Sequence, residues 1–192
     1  MRPPCASGEA VFGYGDVNGD FHVIGDHPGC HGGRESGVPF TETDSGRAID
    51  DLLRAREFRR GRADEPEMDN CFCSYIHQCT PRTDADPTPA GYDRLERFFD
   101  AELRAINAHI LIPVGERPTR HVISTYTTHG HRWGGDMAAS HAREYRGRGF
   151  LVVPIRDPSE WESGDRERIE RRLRAIEASD YRQTKGVATL VG

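Results

Sequence analysis

The stretch VIGDHPGCHGG, residues 23–33, sets one carboxylate, two imidazoles and a thiol among four glycines, directly after a short apolar run. So glycine-rich a segment has few side chains with which to pack as core. Its Asp26, His27, Cys30 and His31 are residue types that move protons, position water or bind metal. Glycine also lets a backbone approach a bound molecule closely. The segment reads as a pocket loop.

A second group of such residues is THGHRWGGD, 128–136. Its His129, His131 and Asp136 suit a zinc site shared with His27 and His31. Alternatively, the segment is a loop that meets phosphate through Arg132 and uses Trp133 as a wedge or stacking surface. No strand pairs the HxH with a third ligand, which favours the loop. Cys71, Cys73 and Cys79, with His77, do not have a standard zinc spacing, and read as small buried cysteines around a strand. GYGDVNG misses the dinucleotide-loop spacing, and DVNGD has Phe21 and His27 where a calcium loop needs glycine and glutamate.

The elements that position these groups follow from periodicity. FHVIG (21–25), FCSYI (72–76), HILIPVG (109–115) and FLVVPI (150–155) read as strands. Helices are expected over 44–58, capped by Asp44 or Ser45, over 92–107, from about 116, and over 165–179. Residues 59–70 read as a polar connector and 1–20 as irregular; the tail after Tyr181 has no assignment. Strands that alternate with helices and are apolar throughout mark a parallel sheet covered on both faces. Ligands then sit beyond the strands' carboxyl ends, which points to residues 25–40, 77–83, 115–120 and 156–161.

The 192 residues suffice for one domain with a real core. The formal net charge is -5, with one lysine, Lys185, against 25 arginines. This balance fits either adaptation to high salt or a GC-rich genome. It excludes a broad non-specific polyanion binder but allows a local arginine clamp on phosphate. No signal peptide or membrane span is visible, so a cytoplasmic protein is expected, with its five cysteines reduced or metal-bound rather than paired.

GDHPG followed by CHGGRESGVPFT and a helix resembles the first motif of the uracil-DNA glycosylase superfamily. CTPRTDADPTPAGYDRLERFFDAELRAINAHILIPVGERPTRHVI has the order of that superfamily's middle, and VVPIRDPSEW stands where it carries H-P-S. The likeness runs in consistent order from about residue 11 to 176 and is nearest the iron–sulfur families. It implies a single domain over 1–192, a three-layer α/β/α sandwich with a central four-stranded parallel sheet in the order 2-1-3-4. It also implies a DNA partner, a monomer, and hydrolysis of an N-glycosidic bond after base flipping, without metal or other cofactor. Asp26 and His27 match the positions that place or activate water. Gly25, Pro28 and Gly29 shape the loop. Phe40 matches the aromatic that stacks on the flipped base, and the Thr-rich residues after it argue against deep burial.

The departures are as informative. Asp157 replaces the histidine of H-P-S, next to Pro158 and Ser159. An ionised carboxylate there opposes an anionic leaving base by about 4 kcal/mol at an effective dielectric near 20, about a thousandfold in rate. Compensation is expected from His27, His31 or Arg156, or from protonation of Asp157. On this reasoning Asp157→His should raise activity. Tyr75 stands near the base-reading asparagine. Of the four cluster cysteines, Cys79 matches one and Cys5 another, with Leu95 at the fourth position, so no cluster is expected. Residues 25–29, 40 and 157–159 should converge on one cleft sized for a nucleobase, with Arg132, Trp133 and Arg156 on the DNA. The leading reading is a repair glycosylase for uracil or another deaminated base. The alternatives are a catalytically silent nucleic-acid-binding relative and a histidine-based metal hydrolase.

Overall fold

The structure, a computed structural model, describes residues 3–5, 9–81, 86–147 and 149–179. In chain order the described elements are β1 (Tyr14–Gly15), β2 (Phe21–Gly25), α1 (Pro28–His31), α2 (Asp44–Ala55), β3 (Arg59–Gly61), β4 (Pro66–Met68) and β5 (Cys71–Tyr75). Then come α3 (Pro89–Ala105), β6 (Ile110–Pro113), α4 (Glu116–Tyr126), α5 (Met137–Ser140), β7 (Tyr145–Gly147), β8 (Phe150–Val152) and α6 (Asp165–Ala178).

The main sheet has six strands in the order β1-β5-β2-β6-β8-β7. Its inner members β5, β2, β6 and β8 run parallel, while β1 and β7 pair antiparallel at the edges. The expectation of four strands is corrected here. The two edge strands span only two and three residues, too short for periodicity to mark. The supposed polar connector 59–70 contains the β3–β4 hairpin, a separate two-stranded sheet.

Alternation along the inner strands builds two cores. Val23, Ile110 and Ile112 pack with Ile49, Leu52 and Leu53 of α2 and with Ile169, Leu173 and Ile176 of α6. Ile24, Leu111 and Val152 pack on the opposite face with Phe99 and Leu103 of α3 and with Val122 and Ile123 of α4. Both faces are therefore covered, which is why the strands read as apolar runs. Helix α2 is capped by Thr43, whose side chain accepts the Gly46 N–H, not by Asp44 or Ser45. Helix α3 begins earlier than its apolar period, at Pro89 behind the cap Thr88, because proline suits the first helical turn.

From β2 the chain moves to β5 on one side and then to β6 on the other. The strand order thus reverses between β2 and β6, where a crevice opens at the carboxyl ends. Among the described residues no helix is long and apolar enough to cross a membrane.

Cys5 and Cys79 form a disulfide, correcting the expectation that the cysteines are unpaired; Cys30, Cys71 and Cys73 are free. The bond joins residues 74 apart in sequence and so restrains the unfolded chain. Its reduction is expected to lower stability by about 2 kcal/mol. Urea unfolding with and without reductant measures this, with Cys79→Ser as the control that reductant leaves unchanged.

Candidate active site

A cleft of about 700 Å³ lies beyond the carboxyl ends of β2, β6 and β8. Asp26, His31, Gly115, Arg117, Asp157 and Ser159 are among its lining residues. Three separate chain segments meet there because three parallel strands end there. Gly115 takes a φ of +87° at the start of α4, which has no side-chain cap. The positive end of that helix dipole therefore opens at the cleft.

His31 is buried at the end of α1, yet it reaches the carboxylate that follows the last strand. Its Nε2 lies 2.9 Å from Asp157 Oδ2. Asp157 Oδ1 also accepts from Ser45 Oγ at 2.9 Å, Ser159 N–H at 2.9 Å and Ser159 Oγ at 2.7 Å. Burial alone would raise the Asp157 pKa. The hydrogen bond and charge of His31 outweigh it, with help from Ser159, and hold the carboxyl well below its ordinary range. Asp157 is thus ionised, and His31 is the group that compensates it. Arg156 is committed elsewhere, to Glu160, Glu162 and Asp165.

Opposing influences act on His31. Burial lowers its pKa, but hydrogen bonds and charges from Asp157 and Cys30 raise it overall. The other ring nitrogen, Nδ1, accepts the Asp26 N–H at 3.0 Å. A second proton would displace that amide, so charging His31 requires a shift of the loop. Nε2–H faces Asp157 in either charge state. Because the Asp157 pKa is depressed on folding, its stabilisation is complete above the unfolded value of about 3.9 and is lost as pH falls through the folded value. Asp157→Asn should therefore cost on the order of 2 kcal/mol at neutral pH, a gap that closes in acid. Urea midpoints of both proteins across pH check this.

Asp26 is held from two other elements. Tyr92 OH donates to Oδ1 at 2.5 Å and Arg117 Nη1 to Oδ2 at 2.9 Å, while the Arg117 guanidinium lies 4.4 Å from the Tyr92 ring centre. His27 caps α1: its Nδ1 accepts the Gly29 N–H at 3.0 Å, and Nε2 sits 3.4 Å from Asp86. Pro28 opens that short helix. A Cβ on Gly25 would lie 2.6 Å from the Tyr75 ring and 2.9 Å from His31 Nδ1, so only glycine fits there.

Among the described residues, Asp26, His27 and Cys30 form the group whose donor atoms lie close enough to hold a metal, all within 4.8 Å. Its donors are already committed. The His27 Nδ1 lone pair takes an amide, and Asp26 takes a guanidinium and a phenol. The 128–136 segment adds no ligand to this group: Asp136 caps α5, and His129 packs on Tyr145.

Phe40 corrects the expectation of shallow placement. It is fully buried, with its ring 5.6 Å from His31 and 5.4 Å from Tyr75. Tyr75 is equally buried. Its hydroxyl donates toward the carbonyls of His31 and Gly32 at 2.8 and 3.1 Å, and accepts the Phe40 N–H at 2.8 Å. Asp26, Asp157 and Ser159 line one cleft. The space between the loop and Phe40, however, is filled by His31 and Tyr75, so Phe40 presents no free face.

Arg132 is exposed in the turn after α4. Trp133 is half-buried; its ring lies 5.2 Å from the Arg120 guanidinium and its Nε1–H donates to Ser140 Oγ at 2.9 Å. Part of 77–83, at Arg82 and Thr83, lies outside the described residues, as does the tail 181–192. Sequence reasoning missed Tyr92, Arg117 and Ser45 as site residues, and Arg59 as the support of the Phe40 turn. Arg117 lies within the post-strand segment 115–120; Arg59 gave no signal in its charged surroundings.

The profile of the Uracil DNA glycosylase superfamily matches residues 12–177. Comparison with curated proteins finds no match. The four-cysteine iron–sulfur cluster of the families that the sequence resembles does not fit these residues. Cys79 is bonded to Cys5, and Leu95 and Phe98 pack around the pair.

Proposed function

Since the chain belongs to the uracil-DNA glycosylase superfamily, we propose that it is a DNA repair glycosylase which releases uracil or another deaminated base. The flipped nucleotide enters the cleft between Asp26, Gly115, Arg117 and Asp157. One observation carries this reading: two carboxylates from distant strands face a single cleft, with an uncapped helix start between them.

The chemistry asks for opposite charges on two sides of the breaking bond. Carboxylates suit a sugar that becomes cation-like, and helix amides suit a base that leaves as an anion. Asp26 positions the attacking water, held in place by Tyr92 and Arg117. Asp157, braced by His31 and two serines, faces the sugar. The backbone amides of the α4 start, where Arg120 neutralises Glu116 and Arg117 pairs with Asp26, receive the departing base. Gly25, Pro28 and Gly29 set the path of the loop, while Ser159 lies at the cleft edge. In this reading Arg132, exposed after α4, and the half-buried Trp133 would meet the DNA backbone. The ion pairs of Arg156 leave it a bracing role, and Phe40 and Tyr75 support the loop from behind.

The test incubates the protein, with chelator, with single- and double-stranded oligonucleotides carrying uracil, hypoxanthine or xanthine, and scores abasic sites. Chelator-resistant release supports the proposal. A second reading, a silent DNA-binding relative, is favoured by Tyr75 filling the space beside Phe40. Binding without release would establish it, and loss of release on chelation would indicate a metal hydrolase.

A further inference from the structure

We propose that the Cys5–Cys79 disulfide is a redox-sensitive latch behind Asp26, opened by a dithiol reductant. Closed, it fixes two elements that place Asp26; opened, it releases both. The first is the segment after β5. The Ile76 N–H donates to the Gly25 carbonyl at 3.0 Å and the His77 N–H to the Asp26 carbonyl at 2.9 Å, so this segment carries the pocket loop directly. His77 Nδ1 donates in turn to the Cys79 carbonyl at 3.1 Å. The second element is α3. Leu95 and Phe98 pack on the two cysteines, and about one turn away Tyr92 donates to Asp26 at 2.5 Å. The His77 ring, 5.1 Å from the Tyr92 ring, joins the two elements. Bond and carboxylate are thus linked through contiguous contacts, and the bond has two discrete states.

Apart from the disulfide, the N-terminal arm meets residues 78–80 through the backbone. The Val11 N–H donates to the Gln78 carbonyl at 2.9 Å and the Thr80 N–H to the Glu9 carbonyl at 3.2 Å. So short a strand pair is marginal in water by itself. Cys5 is half-buried and Cys79 buried, so a small dithiol reaches Cys5 first. One thiolate of the reductant attacks Cys5 Sγ. A mixed disulfide forms, the Cys5–Cys79 bond breaks, and Cys79 leaves as a thiolate with the electron pair. The reductant's second thiolate then attacks its own sulfur in the mixed disulfide, closes a ring and releases Cys5 as a thiolate. The reductant gives up two electrons, and its two protons pass to the cysteines. Regulation of base release by this bond rests on the glycosylase reading; the movement at Asp26 does not.

The test records amide NMR spectra of the full chain before and after dithiothreitol, without denaturant. Alkylation and peptide mass verify that Cys5 and Cys79 have opened. The expected result is that the signals of 26–31, 76–81 and 91–95 shift, those of β6, β8 and α6 stay in place, and reoxidation restores the first spectrum. Cys5→Ser should show the reduced pattern from the start and ignore dithiothreitol. If that variant does not fold, the oxidised and reduced wild type decide alone. These spectra report on Asp26 whether or not any base is released, so failure here is distinct from failure of the glycosylase reading. A bond that dithiothreitol opens only in urea overturns the proposal. So do shifts confined to the residues beside Cys5 and Cys79, which make the bond a local staple, and shifts spread through β6, β8 and α6, which make it a support of the whole fold.

Discussion

Asp157→His is expected to lower base release about a hundredfold, the scale of losing a positioned group at a reacting centre. Reasoning from sequence order points the other way, since it treats Asp157 as a misplaced charge that a histidine would correct. The structure gives Asp157 four hydrogen-bond donors: His31, Ser45 and, through both its amide and its hydroxyl, Ser159. A neutral imidazole has one lone pair and can receive only one of them. A protonated one has no lone pair and receives none. The substitution therefore frees His31 and loosens the turn at 158–160, whose cap is Asp157. Single-turnover release from a uracil-bearing strand measures the effect. A rate that rises would restore Asp157 to the part of a suppressor and remove His31–Asp157 from the site.

Arg59→Ala should destabilise the fold by about 4 kcal/mol, because it breaks a buried ion pair from one side. Arg59 is 1% exposed. Its guanidinium donates to Asp50 at 2.9 Å, to the Pro39 carbonyl at 3.0 Å and to the Phe40 carbonyl at 3.3 Å. Phe40 itself takes a φ of +60°, a strained region for a residue with a side chain. Arg59 thus holds a costly turn in place, and Phe40 passes that order on to His31 and Tyr75 through ring contacts. Urea unfolding measures the loss. Arg59→Lys should recover only part of it, since an ammonium cannot present the planar fork that meets three acceptors. A loss below about 1 kcal/mol in Arg59→Ala would show that the turn is held by packing alone.

The residues themselves determined much of this protein. Apolar runs at 21–25, 109–115 and 150–155 and helical periods over 44–58, 92–107 and 165–179 are set by local spacing, and burial on both faces follows from strands without a polar side. The loop 25–33 announced its chemistry by composition. What spacing does not carry is the partner of each group. The carboxylate at 157 meets an imidazole 126 residues away, Tyr92 and Arg117 close on Asp26 from two helices, and a hairpin of charged residues buries Arg59 under Phe40. The two edge strands and the Cys5–Cys79 bond are likewise decided by what lies across from them. Periodicity records which way a side chain points along its own element. Pairing depends on distances between elements, and only the packed sheet sets these.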